Sequence, residues 1–297
     1  MLTFFSGTLP VSRLVKKRTK MRKAYKNTDT KMCYRLVEVG RNSAPLLRRV
    51  DCTYILTMEG SERVVDVEAA KLLTRRTVLQ VNRGYAKCPK PGVTRPNQDI
   101  AHAYKHLATT ILATTSARRV LILEDDFILE SRDPARFRDV DEFVGAQDFD
   151  AYSLGSIGAH VPIGKHHRFV GGMVMCHACI WSRRAIVALS RMDISKIEHV
   201  DKDVLSKFPK NYGYRTLLAT QTFPHTPNSA TWPAAGRVAM DCLRSWFKID
   251  ERAQPGWDVV YFTTGPLLFS LLLVVTSLVL VLLARRLARR LASRAPP

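Results

Sequence analysis

Val120-Leu121-Ile122-Leu123-Glu124-Asp125-Asp126-Phe127-Ile128-Leu129 is the stretch from which the fold is read. Its first four residues are apolar without interruption. A run this short, bounded by charge, reads as a strand buried on both faces. Three carboxylates follow, and then a second apolar run. In a continuous strand, alternation would turn at least one carboxylate onto a buried face. A buried, unpaired carboxylate either costs several kcal/mol or takes up a proton. A bound divalent cation removes the conflict, so the pattern points to a metal site at the end of a strand. On the triplet alone, a solvated acidic turn explains the residues equally well.

The flanking sequence alternates strand and helix patterns. Thr53–Thr57 and Thr77–Val81 are short apolar strands, and Glu62–Leu73 distributes its apolar residues helically. Residues 84–97 are rich in Gly and Pro and read as a loop, while Asp99–Thr115 has helical spacing through Ile100, Ala103, Leu107, Ile111 and Leu112. Such alternation predicts an α/β domain with a mostly parallel sheet and helices on its faces. Ligands of such a sheet bind beyond the carboxyl ends of its strands.

The formal charge is +20, but it is unevenly placed. Residues 1–50 carry 13 Lys/Arg and 2 acids, and residues 285–297 carry five Arg and no acid. The basicity belongs to the ends, with the middle of the chain near neutral. That argues against nucleic acid as a specific partner and for contact with anionic lipid, each charge contributing roughly 1 kcal/mol near a bilayer surface. Residues 11–50 read as a solvated basic arm. The six cysteines require no disulfides in a chain of this length, and Cys176-His177-Ala178-Cys179, which has the form of a zinc half-site, reads as buried apolar cysteine.

Val259 to Ala284 holds no charged residue, and Arg285, Arg286, Arg289 and Arg290 close it. As a helix it is roughly 39 Å long against about 30 Å of hydrocarbon, enough to cross with some tilt. Trp246-Phe247 and Trp257 precede it as candidate interfacial anchors. The organisation expected is a basic segment (1–50), a catalytic domain (51–240), a juxtamembrane linker (241–258), a transmembrane helix (259–284) and a basic tail (285–297). By the positive-inside rule the tail is cytosolic. A tail-anchored arrangement, in which only the short end crosses, puts the catalytic domain in the cytosol instead, and that is the arrangement expected.

The chemistry that suits the triplet is transfer of a sugar from a nucleotide diphosphate. Negative charge grows on the leaving diphosphate, and Mn²⁺ or Mg²⁺ held by carboxylates stabilises it. Both ions prefer hard oxygen ligands.

Over roughly residues 53–230 the sequence also resembles glycosyltransferase family 25, which includes lipopolysaccharide and collagen galactosyltransferases. The resemblance runs through Tyr54-Ile55 to Glu62-Arg63, Ala101-His102, the LILEDD of Leu121–Asp126, Phe149-Asp150 and Leu154-Gly155. It continues through Cys179–Ala185, Val200-Asp201, Gln221 and Ser229. It implies a GT-A-like, Rossmann-type fold. It also implies Asp126 as principal metal ligand, with Glu124 and Asp125 near the metal, its waters or the ribose, and Arg63 near the nucleotide. His102 is a candidate to orient the acidic loop or a plain packed histidine. For an inverting reaction Asp201 is the candidate general base, with Asp203 and Asp150 as alternatives; a structural aspartate fits the residue equally well. The function implied is transfer of a hexose such as galactose or glucose from a nucleotide sugar to a hydroxyl of a glycan, protein or lipid. Two other readings are a catalytically degenerate scaffold and a non-enzymatic membrane protein with a lipid- or nucleic-acid-binding arm.

Overall fold

The computed structural model describes residues 32–61, 66–170, 173–221, 234–247 and 257–292. Its centre is the triplet's strand. β4 (Arg119–Glu124) lies beside β2 (Cys52–Met58), and β2 beside β3 (Arg76–Asn82). Both pairings are parallel, with Leu56 opposite Glu124 and Met58 opposite Asn82. The carboxyl ends of these three strands therefore share one edge. Among the described residues the sheet has nine strands, in the order β1-β3-β2-β4-β9-β6-β10-β8-β7. The additional strands are β1 (Tyr34–Arg41), β6 (Ala151–Ser153), β7 (His160–Ile163), β8 (His166–Phe169), β9 (Ala178–Ser182) and β10 (Asn211–Tyr214). The expected parallel arrangement holds for β3-β2-β4 and for β6-β10, and the other pairings are antiparallel.

Helices cover both faces, which is why the central strands read as unbroken apolar runs. On one face α2 (Pro96–Thr114) and α4 (Arg183–Ser190) pack against Tyr54, Val120, Ile122, Cys179 and Trp181. On the other, α1 (Val67–Leu73) and α3 (Pro134–Ala146) pack against Ile55, Leu121, Leu123 and Ile180. Alternate residues of each strand thus serve opposite cores. Local chemistry fixes the helix starts. Asp66 accepts from the Ala69 N–H at 2.9 Å, Asp133 caps α3 ahead of Pro134, and Ser182 caps α4. Pro96 opens α2, three residues before the expected Asp99, because proline's fixed φ and missing N–H suit a first helical turn.

Several expectations change. Residues 34–41, read as part of a solvated arm, form edge strand β1, antiparallel to β3, and Leu47 and Val50 are buried beneath α1 and α3. The apolar run after the acids does not prolong β4. Asp125-Asp126 make a turn, and β5 (Phe127–Leu129) leaves to pair with β11 (Ala219–Gln221) in a separate two-stranded sheet. The alternation conflict is relieved by bending the chain. A disulfide joins Cys33 to Cys88, against the expectation that none is required. It ties the start of β1 to the Gly- and Pro-rich loop after β3. The C-terminal apolar run lies in α7 (Trp257–Ala292), of which Ser270–Leu287 is long and apolar enough to cross a membrane and is exposed throughout. Arg63 and Ser229 lie outside the described residues, as do the side chains of Trp246, Phe247 and Trp257.

Candidate functional site at the carboxyl edge of the sheet

Strand parity decides where the acids point. Val120 and Ile122 face α2, so Glu124 turns to the same side. There the Tyr104 hydroxyl, from the middle of α2, donates to Glu124 Oε1 at 3.0 Å. Tyr104 is fully buried, and burial raises its phenol well above the ordinary range, so it stays protonated and remains a donor. Asp125 is held from the end of β2, where Thr57 Oγ1 and Ser61 Oγ both donate to its Oδ2 at 3.0 Å. Asp126 follows, half-buried, at the turn into β5. The Glu124 N–H donates to the His177 carbonyl at 2.8 Å and anchors the turn to the entry of β9.

Among the described residues no group of three or more His, Cys, Asp or Glu is placed to hold a metal ion. The Asp125 carboxylate is ordered by two hydroxyls. Mg²⁺ is commonly bound through one or two carboxylates, with substrate phosphates and waters completing the shell. Glu124 and Asp126 supply hard oxygens suited to that arrangement.

Asp201 lies in α5 (Val200–Asp203), and its Oδ2 accepts from the Met175 N–H at 2.9 Å. Met175 has φ +68°, a left-handed conformation that costs a non-glycine residue roughly 1–2 kcal/mol. The Ser156 hydroxyl donates to the Met175 carbonyl at 3.0 Å, so this strained residue is held at both its N–H and its C=O. Burial raises the Asp201 carboxyl above the usual carboxylate range. Cys176 and Cys179 are buried nearby, with Ser156 Oγ 3.8 and 4.0 Å from their sulfurs. His177 between them is fully buried, and burial lowers its imidazole to about 4, which keeps it neutral.

The alternative bases have other work. Asp203 Oδ2 accepts from the Glu198 and His199 N–H groups at 2.7 and 2.8 Å. Asp150 accepts from Arg184 Nε at 2.7 Å and from the Lys210 N–H at 3.1 Å, and is almost fully buried. His102 does not reach the acids. It stacks on Tyr34 of β1, with Nδ1 2.8 Å from the Tyr34 hydroxyl. Tyr104, two residues on, takes the orienting place that the resemblance gave to His102.

A second polar cluster stands at the end of β3. Lys90 Nζ pairs with Asp99 Oδ1, both side chains being almost wholly buried, and donates to Asn82 Oδ1 at 2.6 Å. Asp99 Oδ2 accepts from Asn82 Nδ2 at 3.2 Å and from the Tyr85 N–H at 3.1 Å. The ammonium also lies 5.0 Å from the centre of the Tyr34 ring. Sequence reading passed over these residues because Lys90 lies in a loop with no periodicity.

The molecule is thus an α/β protein whose sheet gathers acids and hydroxyls at the carboxyl edge of three parallel strands. No protein-family model matches the chain, and no curated protein matches it. Solved structures similar to it include A197 from STIV, with 14% identity, 55% of this chain and 81% of that one covered, and a TM-score of 0.35. Mannose-1-phosphate geranyltransferase from Thermus thermophilus has 14% identity, 69% and 80% covered, and a TM-score of 0.38. A glycosyltransferase involved in the glycosylation of the major capsid of PBCV-1 has 10% identity, 64% and 99% covered, and a TM-score of 0.35. At these levels of overlap the functional reading rests on the site itself.

Proposed function

We propose that the chain is a membrane-anchored glycosyltransferase that binds a nucleotide-diphosphate sugar and a divalent cation, Mn²⁺ or Mg²⁺, at the Glu124-Asp125-Asp126 turn. The observation that carries the reading is the hydroxyl shell around the acids. Tyr104, Thr57 and Ser61 orient Glu124 and Asp125 through hydroxyl donors. Carboxylates ordered in this way are prepared for a cation shared with a diphosphate. Asp126 and Glu124 would hold the metal, which would supply charge stabilisation for the departing diphosphate. Asp125 supports the turn and the donor, and Arg63 is assigned to the nucleotide. Asp201 takes the proton of the acceptor hydroxyl, and its raised pKa makes it the stronger base. Donor and acceptor are a hexose nucleotide and a hydroxyl of a glycan, protein or lipid.

Calorimetric titration of UDP-hexoses with and without Mn²⁺ tests the reading. Binding that depends on Mn²⁺ and is lost in Asp126→Asn is the expected result, with Asp201→Asn binding donor normally but failing to transfer or hydrolyse it. Equal binding with and without metal, in wild type and Asp126→Asn alike, overturns it.

For the membrane arrangement, we place the domain on the side away from the cytosol, opposite to the tail-anchored expectation. Two independent features support this. The Cys33–Cys88 disulfide belongs to an oxidising compartment, and the Arg cluster after the span favours a cytosolic tail. Alkylation of membranes isolated without reductant is expected to leave Cys33 and Cys88 unmodified until a reductant is added. Two free thiols at these positions would return the domain to the cytosol.

A further inference from the structure

The helix before the span carries an apolar side. α6 (Ala234–Phe247) has 14 residues, about 21 Å of helix. At 3.6 residues per turn Val238 and Cys242 fall on one side, together with the positions of Ala235, Ala239, Leu243 and Trp246. Arg237, Asp241 and the position of Arg244 take the opposite side. Val238 is 63% exposed and Cys242 is exposed, so at these points the sheet domain does not cover the apolar side. Apolar surface left in water costs roughly 25 cal/mol per Å².

What covers it follows from the length of chain beyond it. Nine residues, 248–256, separate α6 from α7. Fully extended, they reach about 30 Å. With α7 as the membrane span of the preceding reading, on which this inference rests, the end of α6 is held within that distance of the bilayer. The lipid surface is therefore within reach of this apolar side. We infer that α6 is an interfacial helix lying in the plane of the bilayer. Val238 and Cys242 sink among the upper acyl carbons, and Arg237 reaches back to the lipid phosphates. The domain is then held at two points, the span and the in-plane helix, and its carboxyl edge keeps a fixed attitude to the membrane.

Cys242 provides the probe. Cys33 and Cys88 are bonded, Cys52, Cys176 and Cys179 are buried, and Cys242 is the exposed free thiol among the described residues. The full chain is labelled there with a polarity-sensitive fluorophore and reconstituted in nanodiscs of phosphatidylcholine and phosphatidylglycerol. The expected result is blue-shifted emission, quenched by lipid carrying a nitroxide near the headgroup and little affected by aqueous iodide. Val238→Asp should shift the emission to the red and exchange the two quenching sensitivities. A label quenched by iodide and bright beside nitroxide lipid overturns the inference. So does a label shielded from both, which would mean that protein, in a second copy or another partner, covers the helix. Retention of the chain in membranes after alkaline carbonate keeps the span intact in each of those outcomes. Release by carbonate would overturn the span, and the interfacial helix with it.

Discussion

Two strand ends on one edge of the sheet, with β2 between them, handle negative charge in opposite ways. At the end of β3, Asp99 meets an ammonium: Lys90 is buried against it, and Asn82 and the Tyr85 N–H complete its shell. At the end of β4, Glu124 and Asp125 meet hydroxyls, from Tyr104 on one side and from Thr57 and Ser61 on the other. An ammonium cancels a carboxylate's charge and closes its electrostatics within the protein. A hydroxyl fixes a carboxylate's direction without bringing a positive charge of its own. The β3 cluster therefore reads as a fastening of the loop over the sheet edge. The β4 cluster reads as a prepared site. The disulfide strengthens the contrast, because Cys88 lies on the same loop as Lys90 and Cys33 adjoins Tyr34, whose ring faces the ammonium.

The largest expected effect breaks the closed end. Lys90→Met leaves Asp99 buried without its cation, and removing one partner of a buried pair costs about 3–5 kcal/mol. Thermal unfolding should report that loss. Lys90→Met combined with Asp99→Leu should recover most of it, since replacing both members by apolar groups is often close to neutral. Mn²⁺-dependent donor binding, measured below the lowered melting temperature, should persist in the double variant. Loss of binding there, with stability restored, would make the β3 end part of the site and dissolve the contrast.

The two ends also differ in how plainly the sequence announces them. β2, β3 and β4 are legible within a residue or two because both their faces are covered, which leaves unbroken apolar runs. β1 is illegible for the opposite reason. As an edge strand it keeps Arg35, Glu38 and Arg41 among its residues, and in a basic stretch that looks like solvated chain. β7 and β8 are four residues each and carry three histidines between them, so they give little periodicity to read. The acidic triplet stands out because three charges interrupt apolar sequence. The groups that orient it are harder to see. Tyr104 is recoverable from parity, since it shares the buried side of α2 with Ala101, Leu107, Ala108 and Ile111. Thr57 and Ser61 depend on the register of β2 against β4, which no single segment encodes. The Lys90–Asp99 pair depends on the closure of a loop pinned by a disulfide between residues 55 positions apart, and its partners share no spacing rule.

The smallest expected change in stability carries the most information about the open end. Tyr104→Phe removes one hydroxyl and leaves the ring in its edge-on contact with Trp181, 6.2 Å between centroids. Volume is conserved, so packing is little disturbed. A hydrogen bond to a charged group contributes about 1.5–3 kcal/mol. Glu124 is partly exposed, and water replaces some of the lost donor, so the cost should fall at or below the lower figure. Binding should respond differently. Without the phenol, Glu124 loses one ordering donor, and Mn²⁺-dependent affinity for the donor should weaken about tenfold, or about 1.4 kcal/mol. Metal-free donor binding should be unchanged. If the phenol served only to stabilise the fold, melting temperature would fall while the metal dependence of binding stayed as in the wild type. A selective loss of the metal-dependent part is the behaviour of a hydroxyl that aims a carboxylate at a cation.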